Sequence, residues 1–321
     1  MNSQLPRHQT STMMKKLLTS LRYVLRLSLL PLLLPISSFA DDQVVYPTAQ
    51  AAVQALSEAL KSDNEAALLD VIGKTHRNLV VTGNPQEDAA SRSELAQALH
   101  RYHYLQEAGP DKRLLLVGPQ AWPLPIPLVR QGSGWRFATE EGAQELLNRR
   151  IGANERNAIY VLQTYLDAQQ DYAAHDRNGD GVLAYAQKLL SSPGKQDGLY
   201  WPSEDNAKEP SPFGPLIAAS TGSVAGYAGG APFHGYYFRV LTAQGKDAAG
   251  GAFNYIINGK LLAGFGLVAY PATWGETGVM TFIINRNGKI YQKDLGAKSV
   301  SLGAKMRLFN PGPGWKELLP P

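Results

Sequence analysis

The sequence predicts an α+β fold, and three observations support this class. Apolar residues recur at helical spacing in several segments, and the widest stripe covers residues 157–174. Runs of strand-forming residues come after these helical segments rather than alternating with them, which is typical of α+β folds. The pair Asn287-Gly288 separates two such runs and indicates a hairpin, and therefore antiparallel pairing.

Residues 1–40 have the composition of a secretory signal peptide, with translation starting at Met1, Met13 or Met14. Basic residues precede a leucine-rich run from Leu27 to Phe39, and a small residue, Ala40, closes the segment. The apolar run is shorter than the ~20 residues that span a bilayer. We therefore expect cleavage after Ala40 and a periplasmic or secreted bacterial protein without a membrane span.

Removal of this segment changes the charge balance. It holds five of the 31 basic residues and none of the 27 acidic ones, so 26 basic residues face 27 acidic ones and the formal charge is −1. No basic stripe with interleaved aromatic residues remains, which argues against a nucleic-acid partner. The chain has no cysteine, so disulfides, thiolate zinc sites and cysteine nucleophiles are excluded.

The remaining chain is predicted to fold as two domains, residues 41–139 and residues 157–321, joined by a polar helical bridge over residues 140–156. Paired charges and helix-forming residues mark the bridge. Capping residues predict three helices at the start of the first domain. Thr48 precedes a helix that ends near Ser62, and Asn64 precedes a helix over residues 66–73. After a loop at Asn84-Pro85, Ser91 and Glu94 form the capping box of a third helix, which ends near Leu105.

Strand patterns follow at residues 113–118, 125–131 and 134–139. The last two are joined by glycines as a hairpin, and prolines at positions 123, 125 and 127 place this strand at an edge because proline cannot donate to a ladder. Helices followed by a curved antiparallel sheet are also found in the cone-shaped folds of the nuclear transport factor kind, which the first domain resembles.

The second domain is predicted to start with a core helix over residues 157–174, with Gln169 in a polar strip, and a second amphipathic piece over residues 182–192. Beyond Trp201 lies a long loop rich in proline and glycine, with one short helix near residues 215–220. Antiparallel strands then wrap the core helix, and the tail after Leu302 is edge-bound or loosely packed. The strand patterns cover residues 236–242, 253–257, 264–271, 279–285 and 289–295.

The turn after the core helix matches the first half of a calcium loop. Side-chain oxygens of Asp176, Asn178 and Asp180 and the carbonyl of Val182 occupy alternate positions of that motif. Its twelfth position holds Gln187 in place of a bidentate glutamate. The turn is therefore either a partial calcium site, completed from elsewhere, or a turn that Asn, Asp and Gly favour unaided.

No catalytic set stands out, so we expect a non-catalytic binding or assembly module. Ser192-x-x-Lys195 matches a motif of penicillin-binding enzymes but lacks its partner motifs. The alternative is a periplasmic hydrolase in which His175 or His234 acts with Asp180 or Asp197 under the loop over residues 202–235. Aromatic residues flank this loop and could contribute to binding an envelope protein, a peptide or a glycan.

Long motifs carry two resemblances. The segments LLNRRIGANE, SSPGKQDGLYWP, FHGYYFRVLTAQG and VMTFIINRNGKIYQKDLG resemble an exported bacterial family known only as a domain of unknown function. That resemblance implies export and a two-part layout. A helix with AQxxYxxxxxxGDG, followed by F-x-L-V-A-x-P and T-F-I-x-N-x-x-G-x-I-Y, lies within residues 157–295 and resembles the globular heads of pseudopilins. That resemblance implies a helix set against a sheet, and a calcium loop like that of the major pseudopilin. The prepilin cleavage motif is missing, so the resemblance does not imply filament formation.

Overall fold

The structure is a computed structural model that describes residues 43–81, 83–202, 210–214 and 231–319. It confirms the α+β class, with helices and several sheets of mainly antiparallel strands. The predicted signal peptide and the short helix predicted near residues 215–220 lie outside the described residues.

Three α-helices come first in the described part of the chain, and asparagine or threonine caps each of them. Thr48 Oγ1 accepts a hydrogen bond from Ala51 N at 3.0 Å, and Asn64 Oδ1 accepts one from Ala67 N at 3.1 Å. The third start was predicted wrongly at Ser91, because Asn84 is the cap and proline is favoured at the first helical position. The helices are α1 (Ala49–Lys61), α2 (Glu65–Ile72) and α3 (Pro85–Arg101), with a 3-10 helix over Lys74–Leu79.

A small antiparallel sheet packs against these helices, in the order β1-β2-β4-β5 with β3 beside β2. The edge position predicted for the strand over residues 125–131 is wrong, because β4 pairs with both β2 and β5 and begins only after the prolines. The predicted hairpin is confirmed, because Gln131 pairs with Gly134 across two turn residues. No alternation in the sequence marks β1, since six of its seven residues are exposed. The strands are β1 (His103–Gly109), β2 (Lys112–Val117), β3 (Trp122–Pro123), β4 (Leu128–Gln131) and β5 (Gly134–Phe137).

One helix, α4 (Thr139–Ala173), contains both the predicted bridge and the predicted core helix. Its 35 residues extend roughly 52 Å at 1.5 Å per residue. Near its start, Gly142 lies against the residues before β4, where a Cβ atom would come within 2.9 Å of Ile126 Cα. Arg149 Nε donates to Glu145 at 2.7 Å, and its guanidinium stacks over the Trp122 ring. The first half of α4 is thereby held against the small sheet.

The middle of α4 is bound to the loop that leads into the large sheet. Glu155 Oε1 accepts hydrogen bonds from Val279 N and Met280 N, both at 3.0 Å. Asn154 Nδ2 donates to Thr277 O at 2.9 Å. These bonds satisfy backbone groups at the start of a strand, so they position that strand along the helix.

The large sheet covers the second half of α4, with strand order β15-β13-β12-β11-β6. Alternate residues of its central strands bury against the helix, and a short helix covers the other face. The tail is edge-bound, as predicted, because β15 pairs with β13. The elements are β6 (Tyr236–Leu241), β7 (Ala243–Gln244), β8 (Phe253–Asn254), β9 (Ile256–Ile257), β10 (Lys260–Leu261), β11 (Gly266–Pro271), β12 (Met280–Asn285), β13 (Ile290–Asp294), α5 (Ser299–Lys305), β14 (Leu308–Phe309) and β15 (Lys316–Glu317), with a 3-10 helix over Gly296–Lys298.

Residues 182–192 are irregular, with two isolated β-bridges, so the amphipathic piece predicted there is wrong as a helix. Tyr185 N donates to Leu261 O at 2.9 Å, and Ser191 N donates to Tyr200 O at 2.8 Å. The segment therefore runs as a ribbon across the end of α4. Its backbone bonds go to Leu261 and to the segment around Tyr200 rather than to the preceding turn, which helical periodicity cannot reveal.

Candidate functional site

The loop after α4 is shaped by one carboxylate. Asp176 Oδ1 accepts a hydrogen bond from Gly179 N at 2.9 Å, and Asp176 Oδ2 accepts one from Gly181 N at 2.7 Å. Both glycines have positive φ angles, which L side chains rarely adopt. The N–H of Gly181 in particular lowers the pKa of Asp176, so this side chain is ionised.

Asp180 connects this loop to the hairpin of β9 and β10. Its Oδ2 accepts from Asn178 Nδ2 at 2.9 Å and forms an ion pair with Lys260. The Lys260 ammonium is the main cause of the lowered pKa of Asp180. Gln187, at the twelfth position of the calcium motif, donates to Gly259 O at 2.8 Å on the same hairpin.

A cleft of about 610 Å³ opens beside this loop, and we call it the loop pocket. The end of α4, the acidic loop, the ribbon over residues 182–192, the turn after it and the β9–β10 hairpin surround it. Basic side chains dominate its ionisable lining. The lining includes His175, Arg177, Lys188, Lys195, Asp197 and Lys260, with Tyr172 and Tyr185 as the aromatic side chains.

Asp197 is already bound within the wall of the pocket. Lys188 Nζ donates to Asp197 Oδ2 at 2.6 Å, and Ser192 donates to the same carboxylate through its N–H at 2.7 Å and its Oγ at 3.0 Å. Burial alone would raise the pKa of Asp197, but these hydrogen bonds lower it to about 2. Such a carboxylate is a weak general base at neutral pH.

The serine and lysine of the S-x-x-K motif form an ordinary turn, since Lys195 N donates to Ser192 O at 2.9 Å. The lysine that reaches Ser192 Oγ is Lys188, at 2.8 Å. A charged ammonium that donates hydrogen bonds to both Ser192 and Asp197 cannot accept the proton of a serine hydroxyl.

The floor of the pocket is held by buried side chains of α4. Tyr172 OH donates to Gln196 O at 2.9 Å, and the Arg177 guanidinium stacks over the Tyr172 and Trp201 rings. Gln169, predicted to lie in a polar strip of the helix, is fully buried and binds Ala186 through both ends of its amide.

The two histidine candidates lie apart. His175 lines the loop pocket with Asp197, and His175 Nδ1 is 3.3 Å from an Arg177 nitrogen. His234 lies before β6 in a left-handed backbone conformation, with its ring against Phe233. Two aromatic residues of the loop region, Trp201 and Tyr236, are buried in the core rather than exposed in a cleft.

Sequence reasoning missed the residues that complete the pocket. Lys260 reaches the acidic loop from 80 positions along the chain, and no local pattern marks such a contact. Lys188 lies within residues 182–192, and the wrong prediction of a helix there hid its contacts. Gln169 carried a usable signal, because it lies between the apolar positions Tyr165, Ala168 and Tyr172 of α4.

Among the described residues, the acidic loop included, no group of three or more His, Cys, Asp or Glu side chains is placed to hold a metal ion. The acidic loop also offers amide and carbonyl oxygens, which calcium accepts as ligands. Along the described ranges, no helix has the length and apolar character needed to cross a membrane.

Residues 43–318 match the protein family described as "Protein of unknown function (DUF2950)". No curated protein and no solved structure matches the chain.

Proposed function

The chain belongs to the family DUF2950, whose function is unknown, and we propose that it is a non-catalytic binding module of the bacterial cell envelope. Its binding site is the loop pocket, and its ligand is an anion of the size of a short acidic peptide. The observation that carries this proposal is the charge of the pocket lining.

Four basic side chains, Arg177, Lys188, Lys195 and Lys260, line the pocket. Lys188 is paired with Asp197, and Lys260 is paired with Asp180, so the acidic groups are engaged within the wall. An anionic ligand would add charge-assisted hydrogen bonds to this lining. Tyr172 and Tyr185 offer apolar surface for the rest of a peptide, whose aliphatic carbons can pack on their rings.

Titration calorimetry with a panel of small ligands tests this proposal. We expect a tetrapeptide of glutamate to bind and a neutral tetrapeptide of glutamine to bind at least tenfold more weakly. Lys195→Gln should weaken binding of the acidic peptide about three- to tenfold, because an exposed charge-assisted bond contributes little over 1 kcal/mol. Lys246→Gln, an exposed lysine outside the pocket, is the matched control. Equal affinity for both peptides, or an equal loss of affinity for the acidic peptide in both variants, would refute the proposal.

A hydrolase remains the alternative, because His175 and Asp197 line one pocket. If the protein is a hydrolase, His175→Ala should abolish turnover of an ester or peptide substrate. If it is a binding module, the same substitution should change the affinity for the acidic peptide only modestly. A screen of chromogenic esters and peptides against wild type and His175→Ala separates the two functions. Turnover that depends on His175 would support the hydrolase.

Export is part of the proposal and rests on the composition of residues 1–40. Mass spectrometry of the protein isolated from its native host should give an N-terminus at Asp41. An intact N-terminus in the cytoplasmic membrane fraction would instead indicate a tethered protein.

Calcium binding at Asp176, Asn178, Asp180 and Val182 is supported by the loop geometry, in which oxygens of alternate residues are held on one turn. Lys260 competes for the same carboxylate, and the loop carries only two formal negative charges. We therefore expect a dissociation constant on the order of 10⁻⁴–10⁻³ M. Calcium would also release Lys260 towards the anionic ligand.

Thermal melts in millimolar calcium and in chelator test the site. Calcium at a tenfold excess over Kd should stabilise the wild type by about 1.4 kcal/mol and raise its melting temperature accordingly. Lys260→Gln should enlarge this shift, because it removes the competing ammonium, and Asp180→Ala should abolish it. Identical midpoints with calcium and chelator in all three proteins would mean that the loop is only a turn.

A further inference from the structure

We propose a second binding site, for a small apolar molecule that carries one hydroxyl group, in the interior of the N-terminal part of the chain. A cavity of about 220 Å³, partly open to solvent, lies between α1, α2, α3 and the small sheet. Ten of its thirteen lining residues are apolar. It lies in a different core from the loop pocket, so it does not depend on the function proposed for that pocket.

The size of the cavity exceeds ordinary packing defects. Protein interiors are packed as densely as organic crystals, with few voids larger than a water molecule. An apolar cavity of about 150 Å³ is large enough to bind benzene and stays dry when empty. This cavity therefore has room for a benzene ring with a short alkyl chain. Its deep walls are the buried side chains Leu56, Leu68, Ile72 and Phe137.

One wall of the cavity is polar. Helix α3 presents Asp88, Ser91 and Arg92 to it, followed by Leu95 one turn later. Positions spaced by three and four residues share a helix face, so the three polar groups stand together. The face that an ordinary core helix would fill with apolar side chains carries polar groups here.

Charges on this wall select the polar group of the ligand. Asp88 is only 7% exposed, and Arg92 Nε is paired with Asp63 at 2.6 Å while its NH1 donates to Val80 O at 3.4 Å. Since Arg92 is held by these partners, a ligand carboxylate would face the carboxyl group of Asp88. A carboxylate has about four lone-pair sites, so Asp88 can accept a ligand O–H in addition to bonds within the protein. A phenol or a short alcohol fits both the apolar walls and this acceptor.

The rim of the cavity offers a route of entry. Leu79, Val80 and Leu124 are half-buried, and Ser91 is exposed. The 3-10 helix that precedes Val80 has no buried residue, and its Arg77 is paired with Glu65 of α2 at 2.8 Å. Small displacements of this segment would admit a ligand.

The test uses 4-ethylphenol and ethylbenzene as probes of the full chain, with binding followed by ligand-observed NMR and calorimetry. Both probes should bind saturably, and 4-ethylphenol at least threefold more tightly. Leu95→Phe fills the cavity and should weaken both at least tenfold, whereas Leu302→Phe, on the exposed face of α5, should not. Asp88→Asn should weaken 4-ethylphenol about threefold or more and leave ethylbenzene unchanged, because hydrogen bonds to charged acceptors are the stronger ones.

Two further measurements keep the proposal testable if Leu95→Phe does not fold. Leu124→Phe is a second filling variant at the rim. In the wild type, nuclear Overhauser effects should join the probe to the side chains of Leu68 and Phe137. Lys195→Gln should leave 4-ethylphenol binding unchanged, which separates this site from the loop pocket. Absence of saturable binding, unchanged binding in both filling variants, or Overhauser effects only to other residues would overturn the proposal.

Discussion

Gln169 determines the course of the chain beyond the long helix. It is fully buried on α4, where its Nε2 donates to Ala186 O at 2.9 Å and its Oε1 accepts from Ala186 N at 2.8 Å. The amide thus serves both backbone groups of Ala186, as a neighbouring strand would. Buried backbone groups must find partners, so this side chain makes the irregular course of residues 182–192 possible.

Replacing Gln169 by leucine should therefore destabilise the protein strongly. The buried N–H and C=O of Ala186 would lose their partner, at about 1–3 kcal/mol each, so we expect a loss of roughly 2–5 kcal/mol in the free energy of unfolding. Urea denaturation measures this free energy. Gln170→Leu, at the exposed next position, is the control and should change the free energy of unfolding by less than about 0.5 kcal/mol. A loss below about 1 kcal/mol for Gln169→Leu would show that Ala186 finds other partners.

Asp197 should give the protein a pH-dependent contribution to stability. Its folded-state pKa of about 2 lies below the ordinary value of roughly 3.9. A lowered carboxyl pKa stabilises the fold above the unfolded pKa, and this stabilisation is lost as pH falls through the folded pKa. The side chain is 35% exposed, so screening limits the effect to about 1 kcal/mol or less.

The measurement is a series of thermal melts of wild type and Asp197→Asn between pH 7 and pH 2. The wild type should melt higher at neutral pH, and the difference should shrink as pH falls from about 4 to 2. A difference that stays constant over this range would assign the effect of Asp197 to its shape rather than to its charge.

At the scale of single elements, predictions succeeded where the cause is local. Thr48 and Asn64 cap their helices as expected, and the glycine-rich turn at 132–133 joins two strands. The start of α3 was missed because Ser91 also matches a capping motif, and only the packed structure shows that the turns before it are helical. Lys260 was missed because its contact with the acidic loop is set by the whole fold.

The junction of α4 with the small sheet depends on a glycine. Gly142→Ala would place a methyl group against Ile126, where backbone atoms lie within 2.9 Å, so we expect a loss of about 1–3 kcal/mol in the free energy of unfolding. Gly152→Ala on the same helix would meet only the end of Arg156 at 3.5 Å, and alanine there should stabilise by up to about 1 kcal/mol. Urea denaturation of both variants measures these changes in the free energy of unfolding. Changes of the same sign in Gly142→Ala and Gly152→Ala would contradict the prediction.

At the scale of the whole molecule, apolar side chains gather in separate clusters on either side of the first half of α4. One cluster draws on α1, α2, α3 and the small sheet. A second packs the second half of α4 against the large sheet, and a third lies on the other face of that sheet. The clusters share no residue, so substitutions in one should act locally.

Hydrogen exchange can test this separation with two equal truncations at fully buried leucines. Leu128→Ala should reduce amide protection in residues 49–137 and leave β11 and β12 protected, and Leu162→Ala should do the reverse. Each truncation should lower local stability by about 2–5 kcal/mol. Loss of protection throughout the chain in either variant would show a single cooperative unit.

The separation of the clusters also bears on the order in which the chain matures during synthesis. Every residue of the first cluster has left the ribosome once Phe137 has emerged, whereas the second cluster waits for Ile290. At 5–20 residues per second this delay is on the order of ten seconds. During it, the apolar stripe of α4 around Leu162 and Tyr165 has no sheet to cover it. A nascent chain of this protein therefore passes through a stage in which the N-terminal part is folded and is followed by a helix with an exposed apolar face.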